Sequence, residues 1–161
     1  MTPWPVPING ACPDVPVERA KPVSEKDLYP ADDEDLRPAE VEVRMLVGDV
    51  RVATVRAIAT DIAIREDFDI DAISDLKLAV DEACATVLAK GKPDGLLVCR
   101  LLVTPEHVEV RATAATDNGY PPSNESLGWH MLQVLTDSAH CWTTGVGEDR
   151  RIHVRFTKSR A

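Results

Sequence analysis

The chain has 161 residues, which is room for one domain with a single hydrophobic core. Apolar residues make up 44% of the chain and exclude disorder of the whole molecule, whereas aromatic residues contribute only 4%. The 27 acidic and 18 basic residues give a formal net charge of -9, which argues against nucleic acid as a direct partner. Neither a run of about 20 apolar residues nor a signal-peptide pattern occurs, so we expect a soluble cytoplasmic protein without a membrane partner.

The four cysteines and four histidines are scattered and lack the spacing of a zinc site. A disulfide framework would require secretion, for which the sequence gives no signal. We therefore expect Cys84 and Cys99 to be small apolar groups in the core. Metal and redox chemistry are not indicated by these residues, which are Cys12, Cys84, Cys99, Cys141, His107, His130, His140 and His153.

Residues 1–40 differ in composition from the rest of the chain. Eight of the twelve prolines lie before residue 39, and an acidic run covers residues 32–35. Such a segment cannot bury enough apolar surface to offset its ordering entropy, so it is predicted to be a flexible acidic arm. The arm could bind a partner or serve as a solubilising tail. Residues 41–161 are predicted to form the folded domain.

Hydrophobic periodicity predicts the first elements of this domain. Alternation over 41–47 is typical of a half-buried strand, and the spacing over 49–66 is that of an amphipathic helix. A second helix is predicted over 73–90, with Asp71 or Ser74 as its N-cap. Its buried stripe is predicted to consist of Leu76, Val80, Ala83 and Val87.

The second half of the chain is rich in strand patterns. Residues 95–103 and 107–114 read as a hairpin, and two further strands are predicted over 139–144 and 151–157. Between the two pairs, residues 127–137 have helical spacing. The buried stripe of that helix is predicted to consist of Leu127, Met131, Val134 and Leu135. This order indicates an α+β fold, a two-layer sandwich of a mostly antiparallel sheet with helices on one face.

Five residues could carry chemistry. Glu82 and Thr86 share one face of the second predicted helix, although an acidic helix residue is more often simply solvated. Asp117 and Gly119 belong to a loop that could present a carboxylate to an exocyclic amine, or could be an ordinary turn. Gly128 opens the last helix, where exposed backbone N–H groups bind phosphate in some proteins and have no ligand in others. No complete phosphate-binding loop motif is present.

Together and in this order, the segments that carry these residues resemble the RsbW-like anti-sigma-factor serine kinases of the GHKL ATPase superfamily. The resemblance covers about residues 41–158. Residues 75–84 are similar to the helix that carries the glutamate of the N box, and residues 117–119 fall at the first glycine box. Residues 127–137 are similar to the second glycine box and the helix after it.

The resemblance implies a role for each of the five residues. Glu82 would be the general base toward a serine of an antagonist protein, and Asp117, Gly119 and Gly128 would bind ATP. Thr86 takes the place of an asparagine that normally coordinates Mg²⁺, and a hydroxyl is a weaker ligand than an amide carbonyl. Two further departures are Pro121 in place of a glycine in the first box, and Glu125-Ser126 where the second box normally begins with glycine.

At the level of function, the resemblance implies an anti-sigma factor. It would sequester an alternative RNA polymerase sigma factor of the stress or sporulation type and would be opposed by a STAS-domain anti-anti-sigma factor. An acidic surface could meet a basic sigma factor. One alternative is an active kinase that uses ATP and Mg²⁺ to phosphorylate the STAS partner; another is a degenerate nucleotide-binding module with a structural role. The resemblance also implies a homodimer.

Overall fold

A computed structural model describes residues 40–49, 51–118, 120–121 and 125–160. The predicted acidic arm, apart from Glu40, lies outside the described residues. Within these described ranges, five strands and three α-helices follow one another in the order β1, α1, α2, β2, β3, α3, β4, β5. Their bounds are β1 Glu40–Leu46, α1 Val52–Arg65, α2 Ile70–Leu88, β2 Leu96–Val103, β3 His107–Ala115, α3 Leu127–Leu135, β4 Ser138–Thr144 and β5 Arg151–Ser159.

The strands form one antiparallel sheet in the order β1-β2-β3-β5-β4. Side chains alternate between two faces along each strand, and the described helices pack against one of these faces. A row of small and apolar residues crosses the covered face from β1 to β4 and consists of Val43, Cys99, Ala112, Val154 and Cys141. The predicted α+β sandwich is therefore confirmed.

Helix α2 lies at the centre of the helical layer and packs against α1, α3, β3 and β5. The four residues of its predicted stripe are completely buried, as expected. The predicted N-cap is wrong, because the helix begins three residues earlier, at Ile70. Asp69 is the cap: its carboxylate accepts a hydrogen bond of 2.7 Å from the backbone N–H of Ala72. The other candidate, Ser74, lies inside the helix and donates to the carbonyl of Ile70.

Helix α3 turns a different face to the core from the one predicted. Leu127, Met131 and Val134 are exposed, and of the predicted stripe only Leu135 is buried. The buried face carries Trp129, Leu132 and Leu135 instead. Seven of the nine residues of α3 are apolar, so hydrophobic periodicity does not single out one buried face. The large indole of Trp129 gains most from burial, and it occupies the interior.

The described cysteines behave largely as expected. Cys84 on α2 and Cys99 on β2 are buried, with their Sγ atoms 3.9 Å apart. The pKa of the Cys84 thiol is raised, mainly by the hydrogen bond to Cys99 and also by burial, so Cys84 is neutral in the folded protein. Among the described helices, none combines the length and the apolar character needed to cross a bilayer.

Candidate functional site

The middle of α2 separates two neighbouring carboxylates. Asp81 faces α1, where its Oδ2 accepts a hydrogen bond of 2.6 Å from Nη1 of Arg56. Glu82 faces the start of α3 and is half-buried; within the described part of the chain it makes no hydrogen bond or ion pair. The two residues are therefore not a carboxylate dyad, as their angular separation on a helix predicts. Thr86 lies one turn beyond Glu82 on the same face and is also half-buried.

Glu82 closely approaches Gly128, the second residue of α3. Oε2 of Glu82 lies only 2.7 Å from the position that a Cβ atom at Gly128 would occupy. No side chain larger than hydrogen fits there unless the carboxylate moves. The structure therefore brings together two of the residues that the sequence singled out, one on each of two packed helices.

The start of α3 presents backbone donors toward this contact. Ser126 is the N-cap, and its Oγ accepts a hydrogen bond of 3.3 Å from the N–H of Trp129. The N–H groups of Leu127 and Gly128 have no hydrogen-bond partner among the described residues. Such a helix N-terminus favours a bound anion, because its free N–H groups can donate to the anion and the positive end of the helix dipole lies there.

The loop after β3 is anchored by a threonine. Thr116 is completely buried; its hydroxyl donates to the carbonyl of Lys90 at 2.6 Å and accepts from the N–H of Asn118 at 3.1 Å. Its own N–H donates to the carbonyl of Arg150 at 2.9 Å. These bonds fix the loop to the segment that follows α2, and hence fix the backbone next to Asp117.

Asp117 extends from this anchor toward the solvent. Its side chain is 84% exposed, and Oδ1 lies 3.1 Å from Nζ of Lys92. The backbone carbonyl of Asp117 accepts a hydrogen bond of 3.2 Å from Nη1 of Arg150. Oδ2 has no bonded partner within the described ranges, so it can accept a hydrogen bond from an amine. Gly119 lies outside the described residues, and its expected role stays a prediction.

The predicted site residues are distributed along α2. Thr116 bonds to Lys90, two residues past the end of α2, whereas Glu82 lies about 9 Å of helix before that end. Thr86 lies between these two points. The pair Glu82–Gly128 and the Asp117 loop thus mark two ends of an elongated region, rather than a single cluster.

Three residues of this region were not predicted from the sequence. Thr116 continues the buried alternation of β3, which could have indicated it as an interior polar residue. Ser126 precedes an apolar helical run, which is a recognisable N-cap pattern. Lys92 gave no comparable signal, because its pairing with Asp117 depends on the packing of distant segments.

The chemical character of these groups suits a magnesium nucleotide. Free N–H groups at the start of α3 suit phosphate, and the carboxylate of Asp117 suits an exocyclic amine. The hydroxyl oxygen of Thr86 is a hard donor of the kind that Mg²⁺ accepts, although one hydroxyl is less than a dedicated metal site provides. Within the described residues there is no cluster of three His, Cys, Asp or Glu that could hold a metal by itself.

Comparison with known proteins identifies the family. Residues 48–155 match the family described as the histidine kinase-like ATPase domain, and the chain belongs to this family. It is also similar to proteins called anti-sigma-F factor RsbW from two Mycobacterium tuberculosis strains, CDC 1551 / Oshkosh and ATCC 25618 / H37Rv. Identity to each is 36% over 107 residues, which cover 65% of this chain and 62% of each relative. The predicted RsbW-like resemblance is thereby confirmed.

Proposed function

We propose that this protein is an anti-sigma factor that sequesters an alternative RNA polymerase sigma factor and is released by a STAS-domain anti-anti-sigma factor. The observation that carries the proposal is the 36% identity to two anti-sigma-F factors. The net charge of -9 is consistent with it, since an acidic surface attracts a basic partner and raises the association rate. This function places the protein in the cytoplasm, where the polymerase acts, with no direct contact to nucleic acid.

The nucleotide site we propose is the elongated region along α2. Asp117 accepts a hydrogen bond from the amine of adenine, and the start of α3 at Gly128 binds the phosphates of ATP. Thr86, which takes the place of the asparagine in the family, would supply a weak oxygen ligand for Mg²⁺ at that end. Support comes from the family and from the free N–H groups at the start of α3.

A second function, phosphorylation of the STAS partner, is favoured by one observation. The carboxylate of Glu82 makes no ion pair within the described residues and lies at the start of α3, where it could accept the proton of an incoming serine hydroxyl. Thr86 opposes this function because phosphoryl transfer depends on a firmly held Mg²⁺. Sequestration of a sigma factor needs only a complementary binding surface, so it can persist where phosphoryl transfer is slow.

Titration of the purified full chain against each sigma factor of its source organism tests the main proposal. We expect one sigma factor to form a complex on size exclusion, at micromolar or lower concentration, and a STAS-domain protein to displace it. If no sigma factor binds a chain shown to be folded by circular dichroism, the anti-sigma proposal is wrong. The same titration in multi-angle light scattering reports whether the chain is the homodimer that we propose by analogy with the family.

Phosphate transfer is tested separately with radiolabelled ATP, Mg²⁺ and the STAS protein. An active kinase would label a serine of that protein, and Glu82→Gln should abolish the labelling. Labelling that persists in Glu82→Gln would show that Glu82 is not the base. Asp81→Asn is the matched control, because Asp81 contacts Arg56 on the other side of α2.

A further inference from the structure

The face of the sheet that the described helices leave uncovered carries an unusual row of charges. Residues that are direct neighbours on the five strands form this row, which runs through Glu42, Arg100, Arg111, Arg155 and His140. Arginines therefore lie side by side on β2, β3 and β5. Like charges directly opposite one another on neighbouring strands destabilise a sheet, so this arrangement has a cost for stability.

Carboxylates of the sheet compensate these arginines unevenly. Nε of Arg100 donates to a carboxylate oxygen of Glu42 at 2.7 Å. Nη2 of Arg111 has only a long contact of 3.9 Å to Glu109. Arg155 forms no ion pair with any carboxylate that the structure describes. The less compensated positive charge is therefore concentrated on β3 and β5, in a protein whose formal net charge is -9.

An aromatic side chain brings the two less compensated arginines together. The guanidinium carbons of Arg111 and Arg155 lie 5.9 and 5.8 Å from the ring centre of Trp142, within the range of cation–π attraction. We call these three residues the arginine–tryptophan cluster. All three are half-buried rather than fully buried, so a ligand can reach them from the uncovered face.

Neighbouring strands fix the position of this tryptophan. Trp142 stacks on the imidazole of His153, with ring centres 5.0 Å apart and planes inclined by 13°. Nδ1 of His153 lies 2.9 Å from the hydroxyl oxygen of Thr113, and Nε2 lies 2.7 Å from that of Thr144. Both ring nitrogens are thus engaged, and the ring on which Trp142 packs is held in place. The cluster is therefore preorganised, which reduces the entropy cost of binding a ligand.

We propose that the arginine–tryptophan cluster is a docking site for an acidic segment of a partner protein. Each guanidinium group can bind a carboxylate through two parallel N–H···O hydrogen bonds. Two such groups side by side favour a segment with several carboxylates over an isolated carboxylate. This role goes beyond the anti-sigma function and does not depend on it, because a basic sigma factor is attracted by the acidic parts of the surface and repelled by this cluster.

Other occupants suit the cluster less well. A nucleic acid carries phosphates along its whole length, and the acidic remainder of the molecule would repel those that extend beyond the cluster. A second copy stacked face to face about a two-fold axis at the cluster would bring the arginines of both copies together. A short acidic segment has the complementary charge and covers only the cluster.

Titration of a fluorescein-labelled hexaglutamate peptide with the full chain, followed by fluorescence anisotropy at low salt, tests the proposal. We expect Arg111→Gln/Arg155→Gln to bind the peptide about tenfold more weakly than the native chain, because the charged partners of the carboxylates are lost. Added salt should weaken binding to the native chain, since exposed ion pairs are screened. A native chain that does not bind the peptide, or equal affinity in the two proteins, would overturn the proposal.

Two further variants separate local contacts from net charge. Arg111→Lys/Arg155→Lys keeps both charges but loses the bidentate geometry, so its affinity should lie between those of the native chain and the glutamine variant. Arg51→Gln/Arg65→Gln removes the same number of positive charges from exposed positions at the two ends of α1. Its affinity should stay within about threefold of the native value, since distant charges act only through screened attraction. A loss as large as that in Arg111→Gln/Arg155→Gln would show that net charge alone is measured and would overturn the proposal.

Two outcomes would assign the cluster to a different occupant. Hexathymidylate that binds the native chain more tightly than the peptide, and is lost in Arg111→Gln/Arg155→Gln, would indicate a nucleic-acid site. Light scattering that finds a dimer in the native chain and a monomer in that variant would show that a second copy covers the face. Either result would overturn docking of an acidic protein segment, and neither would affect the anti-sigma proposal.

Discussion

Oε2 of Glu82 on α2 lies 2.7 Å from the point where a side chain at Gly128 on α3 would begin. The carboxylate therefore occupies the space that the missing side chain leaves open. The same helix end has N–H groups without a bonded partner in the described part of the chain. The proposed base and the proposed phosphate-binding helix thus meet at a glycine, and any larger residue there must displace Glu82.

Gly128→Ala should change the free energy of unfolding differently in the native chain and in Glu82→Ala. Alanine favours a helix over glycine by up to about 1 kcal/mol, and this gain should be realised in Glu82→Ala. In the native chain the new methyl group must first push the carboxylate aside, so the gain should be reduced by at least about 0.5 kcal/mol or reversed. Urea unfolding of the four proteins measures the coupling. Additive effects would show that the contact does not constrain Glu82.

Thr116→Val should destabilise the protein by about 1–3 kcal/mol. The substitution keeps the shape of the side chain but leaves the carbonyl of Lys90 and the N–H of Asn118 without their buried partner. Chemical unfolding measures the loss. Thr60→Val is the matched control, because its hydroxyl donates only to the carbonyl of Arg56 within α1; its effect should stay within about 0.5 kcal/mol. Equal effects would argue against Thr116 as the anchor of the Asp117 loop.

Asp69→Ala should cost about 1 kcal/mol, because it removes the N-cap of α2. Asp71→Ala, two residues further on, removes only a charge from the first turn of the helix and should cost less than about 0.5 kcal/mol. Thermal unfolding of both variants at neutral pH distinguishes them. A larger loss of stability for Asp71→Ala than for Asp69→Ala would indicate that Asp71 is the N-cap, as the sequence predicted.

Cys141 should react slowly with iodoacetamide in the folded protein. Burial raises the pKa of its thiol to about 11, against an ordinary value of about 9. At pH 8 the thiolate is then about 100-fold rarer, and its greater intrinsic nucleophilicity offsets part of this, so the reaction should be roughly tenfold slower than in urea. Mass spectrometry of the Cys141 peptide gives both rates, and equal rates would contradict the shift.

The same shift has a consequence for stability. A thiol whose pKa is raised by folding stabilises the native state below the unfolded value of about 9, and this contribution is lost as the pH rises through about 11. The stability of the native chain should therefore fall between pH 9 and 11 more steeply than that of Cys141→Ser. Parallel curves for the two proteins would contradict this assignment.

Periodicity predicted α2 because its apolar residues recur at helical spacing on one face and its polar residues lie on the other, so only one face can be buried. It failed for α3, where Leu127 and Trp129 compete for the interior and only tertiary packing decides between them. The order of motifs along the chain indicated Glu82 and Gly128. Their contact, and the pairing of Asp117 with Lys92, arise from packing between distant segments that no local pattern encodes.

The most direct test of the site is a melting curve of the full chain with Mg-ATP, with Mg-ADP and without nucleotide, in the native chain, Gly128→Ala and the control Thr60→Val. A ligand present at about 100 times its dissociation constant stabilises the folded state by about 2.7 kcal/mol, a rise of several degrees for a chain of this size. We expect that rise with Mg-ATP in the native chain and in Thr60→Val, and a much smaller one in Gly128→Ala. A native melting temperature that saturating Mg-ATP leaves unchanged would contradict the nucleotide site at Glu82 and Gly128.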